Sequence, residues 1–286
     1  MTDARKGFSQ MRMRFASLLF LPLGLGIAAA EAASGAADLL VAPTRVVLEG
    51  RQRTAEVTLV NTGSTPATYR IGFVQIRMNE DGSTTEIETP GPGERFSDGL
   101  IRFSPRQVTL EPNVAQTVRI QLRKPADLPA GEYRSHLRFR GVPRQDPVQA
   151  AKASSGINVH LVPVYGVSIP VIVRQGETAA TVALDAPDLG PPGENGGRAL
   201  SVRMRRTGNQ SVIGNFAVSF IPLRGEPIVV GLAGGVAVYT PNPTRVVMIP
   251  LHVPPGTPLR NGRLRVSYTR ADSVSEKLAE AVLVLP

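Results

Sequence analysis

Few side chains in this sequence carry the chemistry of catalysis. The chain has no Cys, so it offers no thiol nucleophile, no thiolate metal ligand and no disulfide, and its only His residues are His136, His160 and His252. Each His lies in a separate apolar, alternating segment, with no second His or spaced carboxylate to complete a metal set or a Ser-His-Asp arrangement. Ser135 directly precedes His136, but neighbours on a strand point to opposite faces, so the pair cannot share a proton. The chemistry on offer is that of charge. Arg45 sits inside "LVAPTRVVLEG", an otherwise apolar, β-branched run, and Arg174 closes another, "GINVHLVPVYGVSIPVIVR". A guanidinium is always charged and can grip a carboxylate with two parallel N–H donors. An enzyme is not expected here, nor a cofactor or a metal; a binding protein is.

The elements that must position these residues read as strands. Of the 286 residues 42% are hydrophobic and only 5% aromatic, with 25 Pro and 28 Gly, a turn-rich globular composition long enough for two domains. Most segments alternate at period two and are bounded by Gly, Pro, Asn or Asp, the pattern of an all-β sandwich. Strands are expected over 40–48, 54–60, 68–78, 116–122, 133–142 and 157–173. In the second half they are expected over 181–184, 199–206, 215–222, 227–231, 244–251, 262–269 and 279–285. "VSEKLAEAV" is faintly helical, and "NEDGSTTEIETPGPGERFSDG" reads as an exposed, mobile loop.

The first residues have the parts of a secretory signal peptide: Arg5, Lys6, Arg12 and Arg14, an apolar run from Phe15 to Ala30, and a small-residue site at Ala30-Glu31-Ala32. The run is too short and too interrupted for a membrane span, which implies export over residues 1–32 and no integral membrane segment after removal. The formal charge is +9 overall and +2 in those residues, leaving +7 beyond them. Nucleic acid is discounted as a partner of an exported chain; the charge reads first as a basic solvated surface, and otherwise as a basic groove for an acidic terminus or an anionic envelope surface.

A weak internal repeat divides the remainder. "NVAQTVRIQL" from Asn113 and "NPTRVVMIPL" from Asn242 share Asn, Val, Ile and Leu at equal spacing, and "VNTGS" around Gly63 is echoed by "RRTGN" around Gly208. Leu128 and Leu259 stand three residues before Gly131 and Gly262. The fold class expected is therefore all-β, two immunoglobulin-like β-sandwich domains, over 38–173 and 174–286. Tyr133 is placed to form a tyrosine corner.

The segment from Gly156 to Arg174 is unusual. Ile157, Val159, Leu161, Pro163, Tyr165, Val167, Ile169, Val171 and Val173 form one apolar row, and the whole stretch would be about 55 Å long as a strand, about three times the usual. One domain cannot bury all of it. Pro163 and Pro170 lack amide donors, which suits an edge. Either the beginning of the row covers the sandwich core, or it is presented to another chain that pairs with it.

These segments resemble the periplasmic chaperones of the chaperone-usher pilus pathway. "APTRVVLEG" is similar to the first-strand motif of that family, "VTLVNTGSTPATY" to its second strand, and "IRFSPRQVTLEPNVAQTVRI" to its Pro-containing segment and the strand beyond. The resemblance spans nearly the whole chain after the signal and is strongest in the first half. It implies two sandwiches in an L or boomerang arrangement, in which the long edge strand is lent to a pilus or fimbrial subunit lacking its own last strand. By position Ile157, Val159 and Leu161 would be the lent residues, with Pro163 or Tyr165 ending the row. Burying three such side chains would contribute about 5–8 kcal/mol before ordering costs. The arginine that anchors the subunit's terminal carboxylate falls on Arg45.

The sequence departs from the family at one point. A lysine on the long strand normally accompanies that arginine, and here the matching region reads "GVSIPV"; Lys124 and Lys152 lie elsewhere. Ser168 is left to add a hydrogen bond. Arg174, at the junction, is assigned to bracing the two domains. The implied partners are pilus subunits and an outer-membrane usher, with self-association possible through the same edge. The alternative from another class is a structural surface protein or adhesin built of immunoglobulin-like domains.

Overall fold

The computed structural model describes residues 39–143, 164–193, 196–273 and 275–286. The signal-peptide segment and four residues of the expected lent row, Ile157, Val159, Leu161 and Pro163, lie outside the described residues, as does His160. All the described strands fall in one compact unit, Gly35–Pro286. Among the described residues no helix is long and apolar enough to cross a membrane.

The first half contains β1 (Leu39–Ala42), β2 (Val46–Leu48), β3 (Thr54–Asn61), β4 (Ala67–Met78), β5 (Thr84–Ile87), β6 (Ile101–Ser104), β7 (Gln107–Leu110), β8 (Ala115–Leu122), β9 (Gly131–Gly141) and β10 (Gly166–Gln175). One sheet has the order β1-β3-β8-β6; the other runs β2-β10-β9-β4-β5, with β7 also on β4. Alternate residues meet between them: Val57 and Leu59 of β3, Val118 and Ile120 of β8, Leu137 and Phe139 of β9, and Val171 and Val173 of β10 are all buried in one core.

The second half contains β11 (Ala180–Leu189), β12 (Arg198–Gly208), β13 (Val212–Pro222), β14 (Ile228–Val238), β15 (Thr244–Leu251), β16 (Gly262–Arg270) and β17 (Lys277–Leu285). Its sheets are β11-β12-β15 and β14-β13-β16-β17. They enclose a separate core that includes Leu200, Val202, Met204, Phe216, Val218, Ile249, Leu264 and Tyr268. The protein is thus all-β, two immunoglobulin-like sandwiches, as the alternation predicts.

The internal repeat marks equivalent strands. The segments from Asn113 and Asn242 become β8 and β15, each antiparallel to the strand, β3 or β12, that ends in the other repeated turn. In the first turn Asn61 is buried and donates to the carbonyls of Thr65 and Leu110 while accepting the Gly63 N–H. The Tyr133 hydroxyl donates to the Pro129 carbonyl at 2.9 Å, closing the tyrosine corner.

Four expectations about elements need correction. The strand expected over 40–48 is two: β1 pairs with β3 in one sheet and β2 with β10 in the other, with the chain crossing at Pro43-Thr44-Arg45. Arg45 therefore lies at a switch between sheets, not within a continuous strand. "VSEKLAEAV" ends in β17, because its Leu and Val residues alternate against β16. β10 begins at Gly166, and Val164 and Tyr165 before it are irregular chain, while 157–163 of the expected long strand lie outside the described residues.

The stretch expected to be an exposed, mobile loop is largely pinned. It forms β5 on β4, and Arg77 grips Glu94 through two bonds of 2.8 and 2.7 Å, with the Glu94 side chain only 8% exposed. The hairpin tip meets the second sandwich: the Val246 N–H donates to the Glu80 carbonyl at 2.7 Å, and the Asn242 amide to the Met78 carbonyl at 2.7 Å. Gly82, at φ +84°, lets the Arg245 guanidinium lie where a Cβ would come within 2.6 Å of it. The polar composition of the segment signalled exposure, but these partners are too far away in sequence for periodicity to reveal.

Candidate strand-addition site

The expected edge is visible where β10 loses a neighbour. On one side β9 pairs with it over its full length, from Gly166 opposite Arg140 to Gln175 opposite Gly131. On the other side β2 covers only Val171 to Val173, and in parallel. Over Gly166 to Pro170 that side has no strand among the described residues. Unpaired backbone polar groups on such an edge are a template for another chain. Pro170, with no N–H, sits just before the β2 pairing begins.

The apolar row leaves the core at the same place. Val167 packs against the core and Ile169 is buried in it, whereas Tyr165, next in the alternation, is 43% exposed. Ser168 projects to the other face, half-buried and opposite Arg138 of β9.

Arg45 immediately precedes β2. Because β2 is parallel to β10, continuing the register by one residue sets Arg45 beside Pro170, at the head of the free edge. A strand added there parallel to β10 would run toward Arg45 with its C-terminus. Arg45 is half-buried and has no ion pair or hydrogen bond among the described residues.

The surroundings of Arg45 are basic. Arg134, His136, Arg138 and Arg140 alternate along β9 on the face away from the first core, and His136 is opposite Pro170. The Arg134 guanidinium lies 4.3 Å from the ring centre of Tyr239 in the second sandwich and donates to the Ile76 carbonyl at 3.0 Å. His136 meets the same ring edge-on at 6.5 Å. Burial, then the charges of Arg134 and Arg138, push the His136 pKa down to about 3, so it is neutral at pH 7. Its Nδ1 is buried without a partner. Arg138 is paired with Glu86 of β5. Burial raises the Tyr239 pKa against the pull of Arg134, Arg45 and Arg245, so the phenol stays protonated.

Arg174 lies at the other end of β10. It donates to Glu49 at 2.7 Å and to Glu132 at 3.2 Å, and its carbonyl accepts from Lys124 at 2.7 Å. The Glu132 side chain is completely buried and also accepts the Ser211 N–H at 3.1 Å, the Ser211 hydroxyl, and the Thr240 hydroxyl at 3.3 Å, all from the second sandwich. Arg174 thus reaches the second sandwich through Glu132.

Of the sequence-derived site residues, Arg45, Tyr165, Ser168 and Arg174 are described. Ser168 and Arg45 flank the free edge, Tyr165 begins it, and Arg174 belongs to the junction. Sequence reasoning missed Glu132, His136 as part of this face, and Tyr239. The first two were legible as the polar row of "GEYRSHLRFRG", which alternates with the apolar one; Tyr239 carries no local signal. Among the described residues no group of three His, Cys, Asp or Glu residues could hold a metal.

The architecture is that of two immunoglobulin-like sandwiches, and the solved structures to which the chain is similar include chaperones. The YadV chaperone is 12% identical, with 87% of this chain and 100% of that one covered and a TM-score of 0.44. The CupB2 chaperone of Pseudomonas aeruginosa is 14% identical, with 86% and 100% covered and a TM-score of 0.41. A chain of the complex of the Salmonella enterica SafA pilin with the SafB chaperone is 16% identical, with 86% and 96% covered and a TM-score of 0.41. No family model matches the chain, and no curated protein matches it by sequence.

Proposed function

We propose that the protein is a periplasmic chaperone of the chaperone-usher type, which stabilises pilus or fimbrial subunits by lending them an edge strand and delivers them to an outer-membrane usher. The carrying observation is the side of β10 that carries no strand over Gly166 to Pro170 among the described residues, and that ends at Arg45, unpaired among them, where the apolar row leaves the core. The sequence motifs around Arg45, Asn61 and Pro105 agree with this reading. In it the upstream residues Ile157, Val159 and Leu161 fill the subunit's groove, Pro163 or Tyr165 ends the row, Ser168 adds a polar contact, and Arg45 holds the terminal carboxylate. Arg174, through Glu132, braces the domains. No cofactor, nucleotide or catalytic step is required, since the free energy comes from backbone pairing and apolar burial. Free chaperones would self-associate through the same edge.

Co-expression with a candidate subunit tests this. The expected result is a one-to-one complex that is lost on Arg45→Ala and on Leu161→Glu. Undiminished binding by both variants would overturn the site, and the structural-protein alternative would then gain.

A further inference from the structure

The strand that would normally supply a second cation presents only Arg174, which is already paired with Glu49 and Glu132. On the face shared with Arg45, β10 offers Ser168, Pro170, Ile172 and Arg174, of which Ile172 is fully buried and Arg174 is held at the far end by Glu49 and Glu132. Three other arginines nearby are already engaged. Arg134 is stacked over Tyr239 and bonded to the Ile76 carbonyl; Arg138 is paired with Glu86; Arg245 donates to the Ala237 carbonyl at 2.6 Å and lies against Gly82.

Tyr239 is different. Its ring is fixed from two sides, by the Arg134 guanidinium and by the edge of His136, directly across the row that runs from Arg45 through Pro170 to His136. Its hydroxyl makes no hydrogen bond among the described residues. Arg45, Arg134 and Arg245 surround it with positive charge, with Tyr268 and the bonded Glu132 as the other titratable neighbours. The buried Nε atoms of Arg134 and Arg245 have no partners among the described residues, so the junction holds more donor capacity than those residues satisfy. Such a setting favours an anion.

We propose that the second sandwich completes the anchor: the Tyr239 hydroxyl donates a hydrogen bond to the terminal carboxylate that Arg45 grips. This inference rests on the strand-addition reading and deepens it. A protonated phenol beside a guanidinium gives a carboxylate two donors of different kinds, and a hydrogen bond to a charged acceptor is about twice as strong as a neutral one. The grip then spans both sandwiches, so a subunit is held only where the junction is assembled.

The test uses the full mature chain and two synthetic peptides of alternating Val and Thr, identical except that one ends in a free carboxylate and the other in a carboxamide. Wild type should bind the carboxylate peptide more tightly. Tyr239→Phe, which keeps the ring contacts with Arg134 and His136, should lower that affinity by about tenfold and leave the amide peptide unchanged. If wild type prefers the carboxylate and Tyr239→Phe retains the full preference, or weakens both peptides equally, the role of Tyr239 is overturned while the Arg45 anchor stands. If wild type does not distinguish the peptides, or binds neither, the anchor itself fails and this inference with it.

Discussion

The carboxylate of Glu132, on the first sandwich, accepts the backbone N–H of Ser211, on the second, at 3.1 Å, and does so while fully buried and paired with Arg174. A buried carboxylate is tolerated only when paired and hydrogen-bonded, and these partners come from both sandwiches. Replacing Glu132 by Ala leaves the Ser211 N–H unsatisfied and Arg174 with only the exposed Glu49. The expected cost is about 3 kcal/mol. Urea unfolding followed by circular dichroism should show a lower midpoint and separate transitions for the two sandwiches; an unchanged single transition would remove Glu132 as the brace.

His136 makes stability fall with acid. Its folded pKa is about 3, against about 6.5 unfolded, so between these values the unfolded chain takes up a proton that the folded chain does not. Stability is therefore complete above pH 6.5 and declines as pH falls toward 3, by about 2 kcal/mol at pH 5 from this group. Arg134, Arg138 and Arg45 on the same face and Tyr239 opposite are the charged and titratable groups around it. Comparing urea midpoints at pH 7.5 and 5 should give a smaller loss for His136→Gln than for wild type. Equal losses would mean that His136 is not the titrating group.

Two glycines separate backbone strain from crowding. Gly208 has φ +94° and an added Cβ would lie 2.2 Å from the Ala179 carbonyl oxygen, whereas Gly50 has φ +55° and nothing within 4 Å. Gly50→Ala should cost about 1 kcal/mol, the left-handed backbone penalty alone. Gly208→Ala should cost clearly more, because β11 must move to admit the methyl group. Thermal unfolding of both variants checks the order, and an equal effect would contradict it.

The sandwich architecture was legible because alternation at period two directly records which residues enter a core. The repeat between the segments from Asn113 and Asn242 was readable for the same reason, since both strands hold the same place. Contacts between the sandwiches were not. The docking of Glu80 on Val246, the Glu132 network and the placing of Tyr239 over His136 join residues far apart in sequence, and no spacing encodes them. Arg45 stood out as a charge in an apolar run, but its setting became clear only when the run proved to be two strands in different sheets.

The account depends on backbone pairing at the free side of β10. Amide hydrogen exchange on the full mature chain, alone and in complex with a co-expressed pilus subunit, measures that pairing directly. The account predicts new protection over residues 157–169, with the amides of β9 already protected in the free chain. A stable complex that leaves the amides of 157–169 exchanging as fast as before would contradict it.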